Sequence, residues 1–279
     1  MNSQMTQNKQ RKTIVITGSS SGIGKATARL FAENGWEVAA TMRNPQKEAE
    51  LGAIENVTLY QLDVTDSASL EQATADILKD FEVIDVVLNN AGYGLVGPFE
   101  AASPEQIERQ FGTNVFGLMS VTRAFLPHFR EKGTGLFINI SSLGGLITYP
   151  FTSLYHSTKW AVEGFSESLS FELGELGIGV KLIEPGAVST DFSGRSMEMA
   201  MPDNLPDYGP AAQKFMTSLA NSDRVPATAE EVAQGIYEAA TDGKNQMRYP
   251  VGDAPQTVAM RRQIGDDAFI AGVRQQIFG

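Results

Sequence analysis

Thr13-Ile-Val-Ile-Thr-Gly-Ser-Ser-Ser-Gly-Ile-Gly24 is the stretch on which the reading of this chain turns. Thr13–Thr17 is a compact apolar run that ends at a glycine, and a helical pattern follows it from about Gly24 to Glu33, with Ala26, Leu30 and Phe31 on one face. Glycine in such a strand-to-helix turn lets the backbone bend tightly, and the helix N-terminus offers free N–H groups and a positive dipole end to a phosphate. The spacing Gly18, Gly22, Gly24 differs from the G-x-G-x-x-G fingerprint, so taken alone an ordinary glycine turn explains it as well.

Working outward, the same alternation repeats. Short apolar runs occur at Val38–Met42, Val57–Leu62, Val83–Leu88, Leu136–Ile140 and Val180–Ile183. Their length and Val/Ile content fit strands buried on both faces. Amphipathic segments lie between them, at about Ser67–Lys79, Pro104–Phe129 and Ser153–Leu176. Strand-helix alternation predicts an α/β fold, a single-domain Rossmann-type doubly wound parallel sheet over residues 12–279. Residues 190–226 break the rhythm, with prolines at 202, 206, 210 and 226 and methionines at 197, 199, 201 and 216. An insertion of that length predicts a substrate lid. After Tyr249 a short strand and one helix are expected, carrying Arg261, Arg262 and Arg274.

Composition narrows the function. A net charge of −11 argues against a nucleic-acid partner, which wants a basic face. Cysteine is absent, so disulfides, thiolate catalysis and cysteine metal sites are excluded, and two histidines make a histidine metal site implausible. No run approaches the roughly 18 apolar residues of a membrane span. Residues 1–11 are polar, without the apolar core of a signal peptide, and read as a disordered leader, which makes the cytoplasm the expected location.

Three further motifs give the glycine loop its weight. Asn89-Asn-Ala-Gly92 closes the fourth strand, Tyr155-His-Ser-Thr-Lys159 lies on a helix with Ser142 thirteen residues ahead of the tyrosine, and Pro185-Gly186 ends the sixth strand. This ordered set resembles the short-chain dehydrogenase/reductase family over about Lys12–Tyr249. Ala40-Thr-Met-Arg43 is similar to the hydroxysteroid and retinol dehydrogenase branch.

Tyr155 and Lys159 are four apart and so share a helix face. A tyrosine hydroxyl titrates near pH 10, too high for a base at neutral pH, and a nearby ammonium favours the phenolate. A Tyr-x-x-x-Lys pair can therefore serve as an acid/base, although in isolation such a pair is as easily a solvated helix face. The resemblance implies the other roles. Ser142 donates a hydrogen bond to the substrate oxygen, and Asn114 in Gly112-Thr-Asn-Val115 holds a water in a proton relay to Lys159, the alternative being a satisfied polar residue at a helix kink. Ser141 reads as a strand-end cap. His156 points about 100° away from Tyr155 and reads as packing or solvent contact; His128 reads as helix-end packing.

The resemblance also implies a nicotinamide dinucleotide. Its phosphates would meet Gly18, Ser20, Ser21, Gly22, Ile23 and Gly24. Asp63, with Val64, would fix the adenine, Asn90, Ala91 and Gly92 would face the cofactor, Tyr155 and Lys159 would reach its nicotinamide end, and Pro185, Gly186, Val188 and Thr190 would hold the carboxamide and phosphate bridge. The second strand ends in Arg43 with no acid beside it. A guanidinium pairs with a 2′-phosphate, where an acidic side chain would bond ribose hydroxyls, so NADP (NADPH) is favoured over NAD, the alternative for Arg43 being a mere surface charge.

The expected substrate is a small apolar carbonyl or secondary alcohol, bounded by Leu143, Tyr149, Phe151, Phe192 and the methionines of the insertion; the methionines equally suit plain core packing. A homodimer or homotetramer through the fourth and fifth helices is what the resemblance implies. Two other functions compete. A dinucleotide-sensing regulatory protein without catalysis has no use for Ser142, Tyr155 and Lys159 together. A serine hydrolase would want a G-x-S-x-G elbow, whereas the sequence reads Ile140-Ser-Ser-Leu-Gly144.

Overall fold

The computed structural model describes residues 11–189, 197–200, 205–222 and 225–279. Nearly all of the expected leader, with Thr190, Phe192 and parts of the insertion, lies outside them.

Seven parallel strands form the central sheet: β1 (Thr13–Thr17), β2 (Glu37–Met42), β3 (Val57–Gln61), β4 (Val86–Asn89), then, past a short outlying strand β5 (Gly94–Val96), β6 (Gly135–Ile140), β7 (Ile178–Pro185) and the edge strand Arg248–Val251. In space they run β3-β2-β1-β4-β6-β7 and then Arg248–Val251. The order reverses between β1 and β4, the switch point at which doubly wound sheets open a crevice at their carboxyl ends. β1 is buried at every position, as a central strand covered by helices on both faces requires.

Two apolar layers hold the sheet. On one face, α1 (Gly22–Glu33) and the later helix Ala229–Thr241 cover Ile14, Ile16, Val38 and Ile138; Phe31 stands edge-on to Trp36 and Tyr237, with ring centroids 5.0 and 5.1 Å apart. On the other face, α2 (Ser67–Asp80), α4 (Leu118–Lys132) and α5 (Ser153–Gly174) cover Val15, Val87 and Phe137 with Ile77, Phe125 and Phe129. Each such side chain contributes about 1.5–3 kcal/mol when fully buried.

Three details differ from the sequence reading. The expected single helix over Pro104–Phe129 is α3 (Pro104–Phe111), a π-helical stretch Gly112–Gly117, and α4. A π-bulge adds a residue to the turn and is often found at functional sites; this one carries Asn114. The insertion is more than loop. β8 (Val188–Ser189) lies just ahead of it, and within it are β9 (Met197–Met199), which pairs with β5, and helix α6 (Gly209–Ala220). Pro206 and Pro210 stand in the first helical turns of a 3₁₀ segment and of α6, where a missing N–H costs nothing, so they start these helices instead of breaking them. After β10 (Ala227–Thr228), α7 (Ala229–Thr241) and the edge strand β11 (Arg248–Val251), the tail forms two helices, α8 (Ala254–Ile264) and α9 (Asp266–Phe278), divided at Gly265, whose φ of +84° suits glycine.

β11 is fastened by a buried cation. Lys181 Nζ on β7 donates to Ala239 O (2.7 Å), Asp242 Oδ1 (2.9 Å) and Tyr249 Oη (2.9 Å), satisfying all three of its N–H groups. None of the described helices is long and apolar enough to cross a membrane.

Candidate active site

The glycine loop closes on the turn after β4. Gly18 and Gly22 have φ of +72° and +51°, the left-handed region that favours glycine. A Cβ on Gly24 would stand 2.6 Å from Asn90 Nδ2. Thr17 stitches the two turns: its Oγ1 donates to Leu88 O and accepts from Asn90 N and Ala91 N, while Asn90 Nδ2 donates to Thr17 O (2.8 Å) and Gly18 O (3.1 Å). Ser21 is the N-cap of α1 and makes no side-chain capping bond, so the first turn of α1 has no side-chain cap on its N–H groups. A glycine cradle leading into an uncapped helix N-terminus fits a pyrophosphate. Ser20 is exposed, and Ile23 is half-buried against the core beneath.

At the rim of the crevice Arg43 is exposed at the end of β2 and makes no ion pair among the described residues. Asp63 is half-buried; its Oδ1 accepts from Thr65 N (3.0 Å) and Thr65 Oγ1 (2.7 Å), fixing the turn after β3. Val64 packs against Gly117, where a Cβ would come within 2.7 Å of it. Pro185 ends β7, and at Gly186 any Cβ would overlap the Asp253 carboxylate. Val188 is half-buried on β8.

From the β4 turn a chain of polar contacts leads to α5. Gly92 packs on Asn114, whose Nδ2 donates to Tyr93 O (2.8 Å) and Thr158 Oγ1 (3.1 Å) while its Oδ1 accepts from Tyr93 N. Thr158 Oγ1 in turn donates to Tyr155 O. Asn114 thus reaches α5 through Thr158, not directly through Lys159. Lys159 Nζ donates to Ile140 O at 2.7 Å and lies 5.8 Å from the Tyr155 ring centre. The Ser142 hydroxyl accepts from Gly144 N (3.0 Å) and bonds the Tyr155 hydroxyl. Ser142, Tyr155 and Lys159 therefore converge at the end of β6, while buried Ser141 ends the strand, its N–H donating to Ile183 O.

Electrostatics differ from the sequence expectation in one respect. Burial pushes the Tyr155 hydroxyl above its ordinary value, with the Ser142 bond pulling the other way, where the spacing from Lys159 led one to expect a lowered value. Lys159 is itself buried and is pushed down to about 8, with Glu163 holding it up. Desolvation disfavours charge on both partners.

His156 is buried, edge-on to Tyr155 at 5.9 Å between ring centres and with Nδ1 2.7 Å from Ile147 O, so it packs and does not meet solvent. His128 Nε2 accepts from Ile84 N at 3.1 Å. Leu143, expected on the pocket wall, is instead buried with Ile147, Ala254 and Phe269, because the tail helices fold back behind it. Tyr149 flanks that cluster, and Phe151, at φ +59°, meets Phe215 of α6 at 5.4 Å.

The short chain dehydrogenase family matches residues 12–200. The chain belongs to the short-chain dehydrogenase family. An uncharacterised oxidoreductase of Schizosaccharomyces pombe is 38% identical, covering 85% of this chain and 99% of its own. Human retinol dehydrogenase 8 is 35% identical over 75% of this chain and 69% of its own. Among solved structures, a short-chain dehydrogenase from Streptomyces avermitilis superposes with a TM-score of 0.81 at 31% identity and 96% coverage of both chains. ElxO with NADP bound superposes with a TM-score of 0.73 at 28% identity, over 88% of this chain and 99% of its own. This short-chain dehydrogenase is thus an oxidoreductase dependent on a nicotinamide nucleotide.

Sequence reasoning about this family member missed Thr17, Thr158 and Glu163. Only Glu163 left a signal, its i,i+4 spacing from Lys159.

Proposed function

We propose that this short-chain dehydrogenase is an NADP-dependent carbonyl reductase acting on small apolar ketones or aldehydes and, in reverse, on secondary alcohols. The observation that carries it is the meeting of Ser142, Tyr155 and Lys159, joined to the glycine cradle through Gly92, Asn114 and Thr158. NADPH, when bound, supplies the hydride. Ser142 donates a hydrogen bond to the substrate oxygen, and Tyr155 Oη gives that oxygen its proton as the carbonyl carbon is reduced. Burial keeps the Tyr155 hydroxyl protonated in this structure, so the proton it would give is in place. The Lys159 ammonium would stabilise the phenolate left behind and would help to hold the nicotinamide ribose, and Asn114 would carry the water that returns the proton.

Cofactor choice rests on Arg43. Its exposed guanidinium at the tip of β2, without an ion pair among the described residues, suits a 2′-phosphate, and no acidic side chain stands beside it in Ala40-Thr-Met-Arg43. The same rim would receive Gly18, Ser20, Ser21, Gly22, Ile23 and Gly24 on the phosphates, Asp63 and Val64 on the adenine, and Gly186 and Val188 toward the nicotinamide. Tyr149, Phe151 and Phe215 supply aromatic surface beside the site, and α6 would act as part of a lid that excludes water. Exposed Phe116, Trp160 and Phe171, on or next to α4 and α5, suit pairing of two copies.

The deciding experiment measures kcat/KM for a panel of apolar ketones with NADPH and with NADH. Turnover that prefers NADPH is expected. Binding of NADPH without turnover of any ketone or aldehyde would instead favour a silent nucleotide sensor.

A further inference from the structure

Behind Lys159 lies a buried knot of charge that hydride transfer leaves unused. Glu163 stands one helical turn along α5 from Lys159 and is 5% exposed; Glu184 on β7 is 2% exposed. Arg248 reaches in from the edge strand β11, with Nη2 3.0 Å from Glu163 Oε2 and Nε 3.3 Å from Glu184 Oε1. Neither contact is an aligned hydrogen bond; the directed one runs from Arg248 Nη2 to the exposed Glu167 at 2.8 Å. Among the described residues no aligned donor meets either carboxylate oxygen of Glu163 or Oε1 of Glu184, although the Ser141 hydroxyl lies near enough to act on Glu163. The space is fixed by Gly145, where a Cβ would stand 2.7 Å from Ser141 Oγ and 2.9 Å from Glu163 Cγ.

Burying carboxylates this poorly solvated is costly, and an apolar group of the same size would often hold a fold better. A role for the charge accounts for the cost. The cation it faces along α5 is Lys159, whose ammonium is buried and bonded to a neutral carbonyl, Ile140 O. An isolated ammonium in that position loses its proton easily.

We propose that Glu163 is a positioning residue for catalysis, keeping the Lys159 ammonium charged in its buried site while Arg248 and Glu184 set how much negative charge Glu163 carries. The proposal rests on the reading of Lys159 as the partner of Tyr155. The groups facing this knot are Tyr155, Lys159 and Glu167 on α5, Ser141 from β6, Glu184 from β7 and Arg248 from β11, with Arg262 on α8 acting on Glu184. Burial raises the Glu163 carboxyl; Ser141, Arg248 and Lys159 pull it down, and Glu167 pushes it up. Burial and Glu163 push Glu184 up to about 7, while Arg248 and Arg262 pull it down, so the two buried carboxylates and Arg248 act on one another's charge.

Protein labelled with ¹³C at the lysine ε-carbon, without cofactor, tests this directly, with the Lys159 resonance assigned by K159R. E163Q should lower the Lys159 titration midpoint by about one pH unit, and E163D should return it most of the way. Where E163Q does not fold, E163M offers an apolar side chain of similar length and must shift the midpoint likewise. The alkaline limb of kcat/KM should move down by the same amount in E163Q. An unchanged Lys159 midpoint in E163Q or E163M overturns the proposal, as does an E163D protein that titrates like E163Q. Should Tyr155→Phe keep its turnover, the acid assignment falls, while the coupling read on the lysine resonance stands.

Discussion

At the β1–α1 turn the chain brings backbone to backbone and buries no charged side chain; at the meeting of β6, α5 and β7 it buries Lys159, Glu163 and Glu184 together. The first region works by leaving atoms out. Gly18, Gly22 and Gly24 make room, and the donors are N–H groups that every residue has. The second works by putting charge where water cannot follow, which makes its groups responsive to their neighbours and to pH. The contrast teaches that one region is shaped by backbone geometry alone, whereas the other depends on side chains whose titrations are shifted by burial.

The hardest blow to the charged region is Tyr155→Phe. Loss of the proton donor should reduce turnover by about 10²–10⁴-fold while NADPH binding, followed by its fluorescence, stays close to wild type. A variant with more than about a tenth of the wild-type rate removes Tyr155 from the acid role.

The glycine region should fail in the opposite way. In Gly24→Ala the new Cβ would meet Asn90 Nδ2 at 2.6 Å and crowd the Gly18 carbonyl. Overpacking costs typically 1–3 kcal/mol, so NADPH affinity should fall by about ten- to hundred-fold, with kcat at saturating cofactor changed far less. If kcat falls instead and affinity holds, the two regions are not separable in this way.

Arg43→Ala sharpens the comparison at its one charged exception. The side chain is exposed, so the lower end of the charge-assisted range applies, and NADPH should lose about tenfold in kcat/KM while NADH is nearly untouched. An unchanged NADPH/NADH ratio would remove Arg43 from cofactor choice without touching the hydride-transfer assignment.

The smallest effect is on stability. Glu184 is held at about 7, above the usual carboxylate value, so the stability linked to its neutral form is complete below about pH 4.3 and is lost as pH rises through 7. Glu184→Gln cannot ionise. It should raise Tm by about 2–4 °C at pH 8 and change it little at pH 5. An equal shift at both values would mean that the charge is not what strains this region.

Much of this was open to sequence reading because it depends on short-range pattern. Strands announced themselves as runs of Val and Ile, and Tyr155 and Lys159 share a face through the helical period alone. Boundaries moved where the cause was not periodic: the π-helical turn at Gly112–Gly117, the prolines that start helices in the insertion, and the break at Gly265. The upward shift of Tyr155 was hidden for a related reason, since spacing reveals who is adjacent but not how much water remains.

By itself, then, the sequence determined the parallel α/β sheet, the glycine turn and the Ser142, Tyr155, Lys159 set, since each is written in order and spacing along one segment or between strand ends of a known kind. Tertiary structure alone decided that Thr17 ties the turns after β1 and β4 together, that the tail helices pack on Leu143, and that Arg248 meets Glu163 and Glu184. Those contacts join residues far apart in the chain. They exist because β11 pairs with β7 in the register Arg248↔Leu182, and a register is set by how a whole sheet buries its faces, not by any one strand's residues.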